Sequence, residues 1–154
     1  MRWLLLIVLF GCTPRRVPDT EKLTTAYYKI YQQRKNFPQF VAYYDDNVVL
    51  EDMINGDRVE GKEALARFFN WDLPGYQLQD SVALKVTDMI VDDNRAVVSG
   101  YFTPFNWDTL QIGAMHFTTS LQWSDDGKII KQVDWINYPD ILLTNRKDAN
   151  HWIK

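Results

Sequence analysis

The spacing of apolar residues predicts helices in the first part of the chain and strands in the rest. Apolar side chains recur every three or four positions in a segment that Asp19 or Thr20 can cap and that ends near Lys35, which predicts a helix. Asn36 can cap a second, shorter helix with its own apolar stripe. From Tyr76 onward, apolar and polar positions alternate, as they do in strands with one buried face. We therefore expect helices first and a sheet afterwards.

A strand, a tight turn and a further helix form the most informative stretch of the sequence. Alternation over residues 48–53 places Asp52 on an otherwise apolar strand face, where a core would take an apolar residue. The Asn-Gly-Asp sequence at 55–57 is typical of a tight hairpin, with a short return strand at 59–60. A third helix, with apolar residues on one face, is predicted over residues 62–69.

The second half of the chain predicts four long strands, over residues 77–91, 95–103, 109–123 and 128–137. Turn sequences rich in Asp, Asn and Gly separate the strands of each hairpin. Three helices followed by four antiparallel strands predict an α+β fold, in which a curved sheet carries its helices on one face. The folded domain is expected over residues 20–138, with a C-terminal tail over residues 139–154.

The first residues carry the pattern of a signal peptide. A short basic start precedes an apolar run over residues 3–10 that is too short to span a bilayer. The sequence Leu-Phe-Gly-Cys at 9–12 resembles the lipobox of bacterial lipoproteins, in which Cys12 becomes the lipid-modified first residue. The alternative is an ordinary secretory signal with an incidental cysteine, although Cys12 is the only cysteine in the chain. We expect a signal peptide at 1–11, a lipidated Cys12 with a tether at 12–19, and an anchor in the bacterial cell envelope.

The overall composition is typical of one folded domain and excludes several classes of function. Of the 154 residues, 46% are hydrophobic and 14% aromatic, which suits a large core or a ring-lined pocket. A net charge of −3 gives no electrostatic footprint for nucleic acid. With two histidines and one cysteine, and without a glycine-rich phosphate loop, the sequence predicts no metal and no cofactor. His116 falls on the polar side of its strand, so we expect it to be exposed or interfacial.

The segment Tyr43–Phe69 resembles the corresponding part of ketosteroid isomerases, which share its acid-ending strand, its glycine after the hairpin and its aromatic-rich helix. Over residues 20–138 the chain is identified as a member of the nuclear transport factor 2-like superfamily. Ketosteroid isomerases, scytalone dehydratase and the SnoaL-like polyketide cyclases share its cone-shaped, cystatin-like fold. The resemblance implies a cone-shaped, curved antiparallel sheet with three N-terminal helices packed on its concave face. It indicates the fold better than the activity.

The same resemblance implies candidate catalytic residues. Asp52 matches the general base of the isomerases, because its Glu-Asp pair and its spacing to Gly61 both agree. Tyr28 matches their oxyanion-hole tyrosine. Thr119 stands where they carry a protonated aspartate, and a threonine hydroxyl is the weaker donor. Asp134 lies in the region where polyketide cyclases place an acid-base aspartate.

Both carboxylates also have a structural interpretation. Asp52 could instead be a hairpin carboxylate whose oxygens accept from turn amides near residues 55–56. Asp134 is a second catalytic carboxylate if it faces the cone and a solvated strand residue if it faces outward. Counting from the isomerase match favours the inward orientation, with Val133 and Trp135 on the convex face. An apolar convex face predicts a homodimer surface or a cover formed by the C-terminal tail.

Two functions remain open. The first is binding of a small, largely apolar molecule without turnover, or a role as an accessory domain. The second is a cofactor-free isomerase, dehydratase or cyclase, in which Asp52 is the base, Tyr28 and Thr119 stabilise an enolate oxygen, and Asp134 is a second acid. We favour the first, because the strong oxyanion acid is missing. In either case four residues are expected to contact the ligand, although such side chains are more often core: Tyr44, Trp107, Phe117 and Leu121.

Overall fold

A computed structural model describes residues 19–143, which form three helices and two sheets, with the first two strands between the second and third helices. The helices are α1 (Thr20–Gln33), α2 (Phe37–Val41) and α3 (Lys62–Phe69), and a 3-10 turn spans Asp140–Leu142. The strands are β1 (Tyr44–Asp52), β2 (Arg58–Glu60), β3 (Tyr76–Leu78), β4 (Leu84–Asp92), β5 (Arg95–Phe102), β6 (Phe105–Trp107), β7 (Leu110–Ile112), β8 (Met115–Trp123) and β9 (Ile129–Ile136). The predicted signal peptide, Cys12 and most of the C-terminal tail lie outside the described residues.

The main sheet has six strands in the order β2-β1-β9-β8-β5-β4. Its neighbours run antiparallel, except that β1 and β9 pair in parallel. Strands β3, β6 and β7 form a second, three-stranded sheet. The predicted α+β fold, with a curved and mostly antiparallel sheet, is therefore confirmed. Within residues 19–143, no helix is both long and apolar enough to cross a membrane.

Local capping explains where the three helices begin. The Asp19 carboxylate accepts a hydrogen bond from the amide of Lys22 at 3.1 Å, and Asn36 caps α2 through the amide of Gln39, also at 3.1 Å. Gly61 precedes α3 with a φ of 84°, a conformation that favours glycine. The predicted helix starts are confirmed because each signal lies within a few residues of the element that it controls.

Two of the predicted long strands are wrong, because each is divided. The chain leaves the sheet over residues 79–83, where Asp80 accepts from the amide of Ser81 and forms a turn between β3 and β4. A second break, at residues 113–114, separates β7 from β8. The short strands on the far side of these breaks pair with β6 rather than with the main sheet. Alternation did not reveal the first break, because the apolar positions keep the same parity on both sides of it. At the second break the buried positions change parity between Ile112 and Met115, and this signal was missed.

The absence of a side chain at Gly100, on β5, leaves room for a phenylalanine ring of one neighbouring strand and for the backbone of the other. This glycine pairs with Phe117 on β8, and a Cβ at Gly100 would lie 2.9 Å from that ring and 2.2 Å from the carbonyl oxygen of Lys85. On the other side of Gly100, the register of β4 shifts between Val86 and Asp88. A missing side chain beside a bulge lets the sheet bend, so its concave face curves around the helices.

Aromatic side chains fill the space between the helices and the concave face. Tyr27, on α1, is fully buried, stacks on Phe40 with ring centroids 5.3 Å apart, and meets Trp123 edge-on. The opposite, convex face carries partly exposed apolar side chains, among them Trp135 at 42% and Val97 at 40% exposure. The core therefore lies on one face of the sheet only.

Candidate functional site

A cavity of about 180 Å³ lies between α1, α3 and the concave face of the main sheet. The apolar part of its wall includes these side chains: Tyr31, Phe69, Phe102, Phe105, Met115, Phe117 and Ile136. The polar groups that line it include these residues: Tyr28, Arg34, Thr119, Gln132, Asp134 and Tyr138. An apolar pocket with a few convergent polar groups is the usual form of a small-molecule site.

Asp134 is the buried carboxyl group of this cavity. It is 6% exposed on β9, and Thr119 on β8 pairs with it directly across the sheet. The Thr119 hydroxyl donates to Oδ1 at 2.6 Å, and the Gln132 amide donates to Oδ2 at 2.8 Å. Burial raises the pKa of Asp134 to about 7, although both hydrogen bonds oppose the rise. The carboxyl group can therefore exchange a proton near neutral pH.

A chain of buried hydroxyls holds the amide that contacts Asp134. The Tyr44 hydroxyl donates to Oε1 of Gln132 at 2.8 Å, and the Tyr27 hydroxyl lies 2.6 Å from the Tyr44 hydroxyl. Since Tyr44 uses its hydrogen on Gln132, Tyr27 supplies the hydrogen between the two tyrosines. Oε1 of Gln132 is thereby kept on the tyrosine side, and the amide nitrogen points to Asp134.

Asp52 lies beside Asp134 in the sheet but does not line the cavity. The two residues pair in the parallel register of β1 and β9, and Asp52 is 1% exposed. Its Oδ1 accepts from the amides of Ile54 and Asn55 at 3.0 and 2.9 Å, and its Oδ2 accepts from the Tyr138 hydroxyl at 2.5 Å. The expected place of Asp52 as a base in the pocket is corrected by this geometry, because Asp52 points to the turn and to Tyr138 and does not line the cavity. Its interpretation as a hairpin carboxylate describes the contacts that are present.

Tyr28, Thr119 and Phe117 lie at the cavity, together with Asp134. Tyr28 is 5% exposed, and its pKa is raised well above its ordinary value by burial and by the nearby charge of Asp134, while a hydrogen bond with Thr119 opposes the rise. Phe117 stacks on Tyr28 with ring centroids 6.1 Å apart and nearly parallel planes. The structure therefore brings together three of the four candidate catalytic residues and one of the four expected ligand contacts.

The other three expected ligand contacts lie away from the cavity wall. Tyr44 and Leu121 are fully buried in the core, and Tyr44 reaches the site only through Gln132. Trp107 is 37% exposed. Phe105, at the start of β6, lines the cavity, whereas Trp107, at the end of the same short strand, does not. These three expectations are corrected accordingly. His116 is exposed on the outside of β8, at the edge of the Tyr101 ring.

A model of the SnoaL-like domain family matches residues 24–132. The chain belongs to this SnoaL-like family. The matched region includes Tyr28, Asp52 and Thr119, whereas Asp134 lies two residues beyond its end. Among curated proteins, no sequence with significant similarity to the chain was found.

Solved structures share the fold of this SnoaL-like domain. A candidate SnoaL-like polyketide cyclase from Shewanella putrefaciens is 16% identical, with a TM-score of 0.65 over 88% of this chain and 98% of that one. A candidate ketosteroid isomerase from Kribbella flavida is 22% identical, with a TM-score of 0.60 over 78% of each chain. An LEH-like epoxide hydrolase from M. tuberculosis is 15% identical, with a TM-score of 0.61 over 86% of this chain and 90% of that one. At these identities the likeness shows the fold alone.

Three polar residues of the SnoaL-like cavity, Arg34, Gln132 and Tyr138, were among those missed from the sequence. Gln132 stands two positions before Asp134 on the same strand face, so its polar side chain on a buried face was a readable signal. Tyr138 follows the end of β9, and Arg34 follows the end of α1, where alternation and helical spacing no longer apply. Within residues 19–143, no group of acidic, histidine or cysteine side chains is arranged to hold a metal ion.

Proposed function

We propose that this SnoaL-like domain binds one small, largely apolar molecule in the cavity and holds a polar group of that molecule at Asp134. The supporting observation is the burial of the Asp134 carboxyl group in an aromatic and aliphatic wall. An ionisable group in such surroundings lowers the stability of the fold, and groups of this kind cluster at functional sites. The apolar wall keeps water away from Asp134, and a polar group of the ligand would take the place of that water as a partner of the carboxyl group.

The volume of the cavity limits the size of the ligand. A cavity of about 150 Å³ lined by apolar side chains can hold a benzene molecule. At about 180 Å³, this cavity therefore suits a single ring or a short chain rather than a fused-ring skeleton. Aromatic rings of the wall also pack closely against each other, as Phe102 and Phe117 do with ring centroids 5.2 Å apart. This close packing leaves room for a compact ligand with a flat or alicyclic body.

Titration with cyclohexanone, followed by amide NMR, tests this proposal. We expect saturable shifts that are confined to residues of the cavity wall. A Met115→Trp variant should abolish them, because the larger side chain fills the cavity, and Met115→Leu is the matched control that keeps its volume nearly constant. If the wild-type protein shows no saturable shifts, or if Met115→Trp binds as well as Met115→Leu while remaining folded, the proposal is wrong.

A second candidate function, proton transfer without a cofactor, is favoured by the pKa of about 7 for Asp134. A carboxyl group with this pKa can take a proton from a carbon next to a carbonyl group and return it elsewhere on the same molecule. Tyr28 would donate to the carbonyl oxygen. Thr119 is engaged with Asp134 in the free protein, and Asp52 would act only through Tyr138.

Exchange of the α-hydrogens of cyclohexanone in heavy water distinguishes turnover from binding. In the enzymatic case, the wild-type protein accelerates the exchange, and Asp134→Asn removes the acceleration while the ketone still binds. Asp88→Asn, an exposed carboxylate on β4, is the control and should leave the rate unchanged. Equal rates with wild-type protein and with Asp134→Asn would leave binding as the function.

We also propose that Cys12 carries a lipid and anchors the domain to a bacterial membrane, on the basis of the sequence at residues 9–12. Mass spectrometry of the N-terminal peptide from the membrane fraction tests this. We expect an acyl-modified Cys12 as the first residue, and a Cys12→Ser variant that is not acylated. An unmodified Cys12 within a longer mature chain would contradict the anchor.

A further inference from the structure

Arg34 places a positive charge at the wall of the cavity. It caps the C-terminal end of α1 with a left-handed backbone, φ 46°, and its amide donates to the carbonyl oxygen of Ile30 at 3.1 Å. The guanidinium carbon lies 4.4 Å from the centre of the Tyr76 ring and 5.6 Å from that of Trp71. Two aromatic rings therefore position the guanidinium group.

The guanidinium group has no carboxylate partner among residues 19–143. Ion pairs in this part of the chain are formed instead by these cations: Lys22, Arg58, Lys62, Lys85 and Lys131. The Arg34 charge opposes the rise in pKa that burial causes at Tyr76 and at Tyr31, and at Tyr76 a side-chain hydrogen bond with Arg34 opposes it as well. A guanidinium group has five N–H donors, so donors not engaged by Tyr76 remain for a carboxylate, which such a group can bind in a bidentate manner.

Arg34 and the buried carboxyl group differ in their access to solvent. Arg34 is half-buried, and Phe68, which also lines the cavity, is 41% exposed, whereas Asp134 is 6% exposed. The arginine therefore stands where the cavity opens, and the apolar wall extends inward from it. Charge at the opening and rings inside match a molecule with one anionic end.

We propose that the cavity takes a small amphipathic anion, a carboxylate on a single ring or short chain, whose oxygens Arg34 binds at the opening. This inference rests on the proposed ligand-binding function and names the class of ligand. The apolar body of the molecule then lies against Phe117 and Met115, and any second polar group reaches Asp134. Arg34 selects the anion, and the aromatic wall selects its size.

Two ligands of equal shape test the charge. Cyclohexanecarboxylate and cyclohexanecarboxamide differ in charge but hardly in volume, and their dissociation constants are measured by NMR titration. Hydrogen bonds to charged groups are strong enough that we expect the wild-type protein to bind the carboxylate about tenfold more tightly or better. Arg34→Gln should remove that preference and leave the affinity for the amide within about twofold.

Lys35→Gln provides the matched control, because Lys35 is the adjacent cation, is exposed and does not line the cavity. It should keep the preference for the carboxylate. If thermal unfolding shows that Arg34→Gln is poorly folded, Arg34→Met is used in its place. The apolar methionine side chain can still pack on Tyr76 and Trp71. Loss of the preference in Arg34→Met would support the proposal in the same way.

The outcomes separate this inference from the proposed function. If the wild-type protein binds neither compound, both are wrong. If it binds the amide as tightly as the carboxylate, or if the preference survives in a folded Arg34 variant or disappears in Lys35→Gln, the cavity still binds a ligand but Arg34 does not select an anion.

Discussion

Two buried carboxylates, Asp52 and Asp134, stand side by side in the sheet and have different surroundings. Both are almost inaccessible to solvent, at 1% and 6% exposure, and they are paired residues of β1 and β9. Asp52 accepts hydrogen bonds from two backbone amides and one tyrosine hydroxyl, and it does not line the cavity. Asp134 receives two side chains, and it faces the cavity.

The two acids occupy paired positions on neighbouring strands, so position on a strand does not tell a structural carboxylate from a candidate functional one. The hydrogen-bond donors around each acid do. The amides near Asp52 belong to the turn that follows its own strand, so local backbone geometry supplies them. The donors to Asp134 come from Thr119 on a neighbouring strand and from Gln132, which Tyr44 holds in place. Each oxygen of Asp134 accepts one hydrogen bond, so each keeps an acceptor site for a ligand at the cavity wall.

The largest expected effect is the pH dependence of stability that Asp134 causes. Its pKa is about 7 in the folded protein, against 3.8 for an unperturbed group. Between these values the folded state keeps a proton that the unfolded state has released, so the free energy of unfolding falls as pH rises. The contribution is at most about 4 kcal/mol and is constant below about pH 4 and above about pH 7.

Urea unfolding of the wild-type protein and of Asp134→Asn across this pH range measures the contribution. The difference between the two stabilities should change from about pH 4 to about pH 7 and then level off. Any loss of stability that Asp134→Asn causes through its altered hydrogen bonds is independent of pH, so it shifts the plot of the stability difference against pH by a constant amount. Two parallel curves would contradict the raised pKa of Asp134.

A somewhat smaller loss is expected when the structural carboxylate is removed. Asp52→Ala leaves two turn amides and the Tyr138 hydroxyl without their acceptor, and we expect a loss of about 3 kcal/mol in the free energy of unfolding. The matched control is Asp45→Ala, at the other end of β1, where the carboxylate accepts from the amide of Asn47 in an exposed part of the strand. That variant should lose less than about 1 kcal/mol. Similar losses in the two variants would show that Asp52 is not the main acceptor of its turn.

The smallest effects separate the two tyrosines that serve these acids. Tyr44→Phe removes the donor to Gln132, and Tyr138→Phe removes the donor to Asp52; each should lower the free energy of unfolding by about 1 to 2 kcal/mol. Only Tyr44→Phe should raise the pKa of Asp134, since it frees the Gln132 amide to turn away. Carboxyl-carbon NMR titration measures that pKa, and a larger shift in Tyr138→Phe would contradict the relay through Gln132.

Most of the fold could be predicted from the sequence because its signals are local. The caps at Asp19 and Asn36, and the glycine turn around residues 55–57, each act over a few residues. The parallel pairing of β1 with β9 joins segments about eighty residues apart in the chain, and alternation carries no information about such a partner. The break at residues 113–114 left a local signal, because the buried positions change parity between Ile112 and Met115, but only tertiary pairing shows that β7 belongs to the smaller sheet.

The candidate site was predictable in part. Strand alternation and the isomerase resemblance placed Asp134 inward, and Thr119 lies opposite it as a consequence of the β8–β9 register. The same reasoning placed Asp52 in the pocket, because it fixes the face of a strand but not where the cavity ends along that strand. Arg34 could not be found in this way, since its place depends on the packing of the end of α1 against Tyr76 and Trp71.

The most direct test of the account follows the carboxyl carbons of both aspartates by NMR while cyclohexanecarboxamide is added near neutral pH. The account predicts that the Asp134 signal moves saturably with the concentration of the ligand, while the Asp52 signal stays in place. If the ligand binds and the Asp134 signal does not move, or the Asp52 signal moves as far, the cavity at Asp134 is not the functional site.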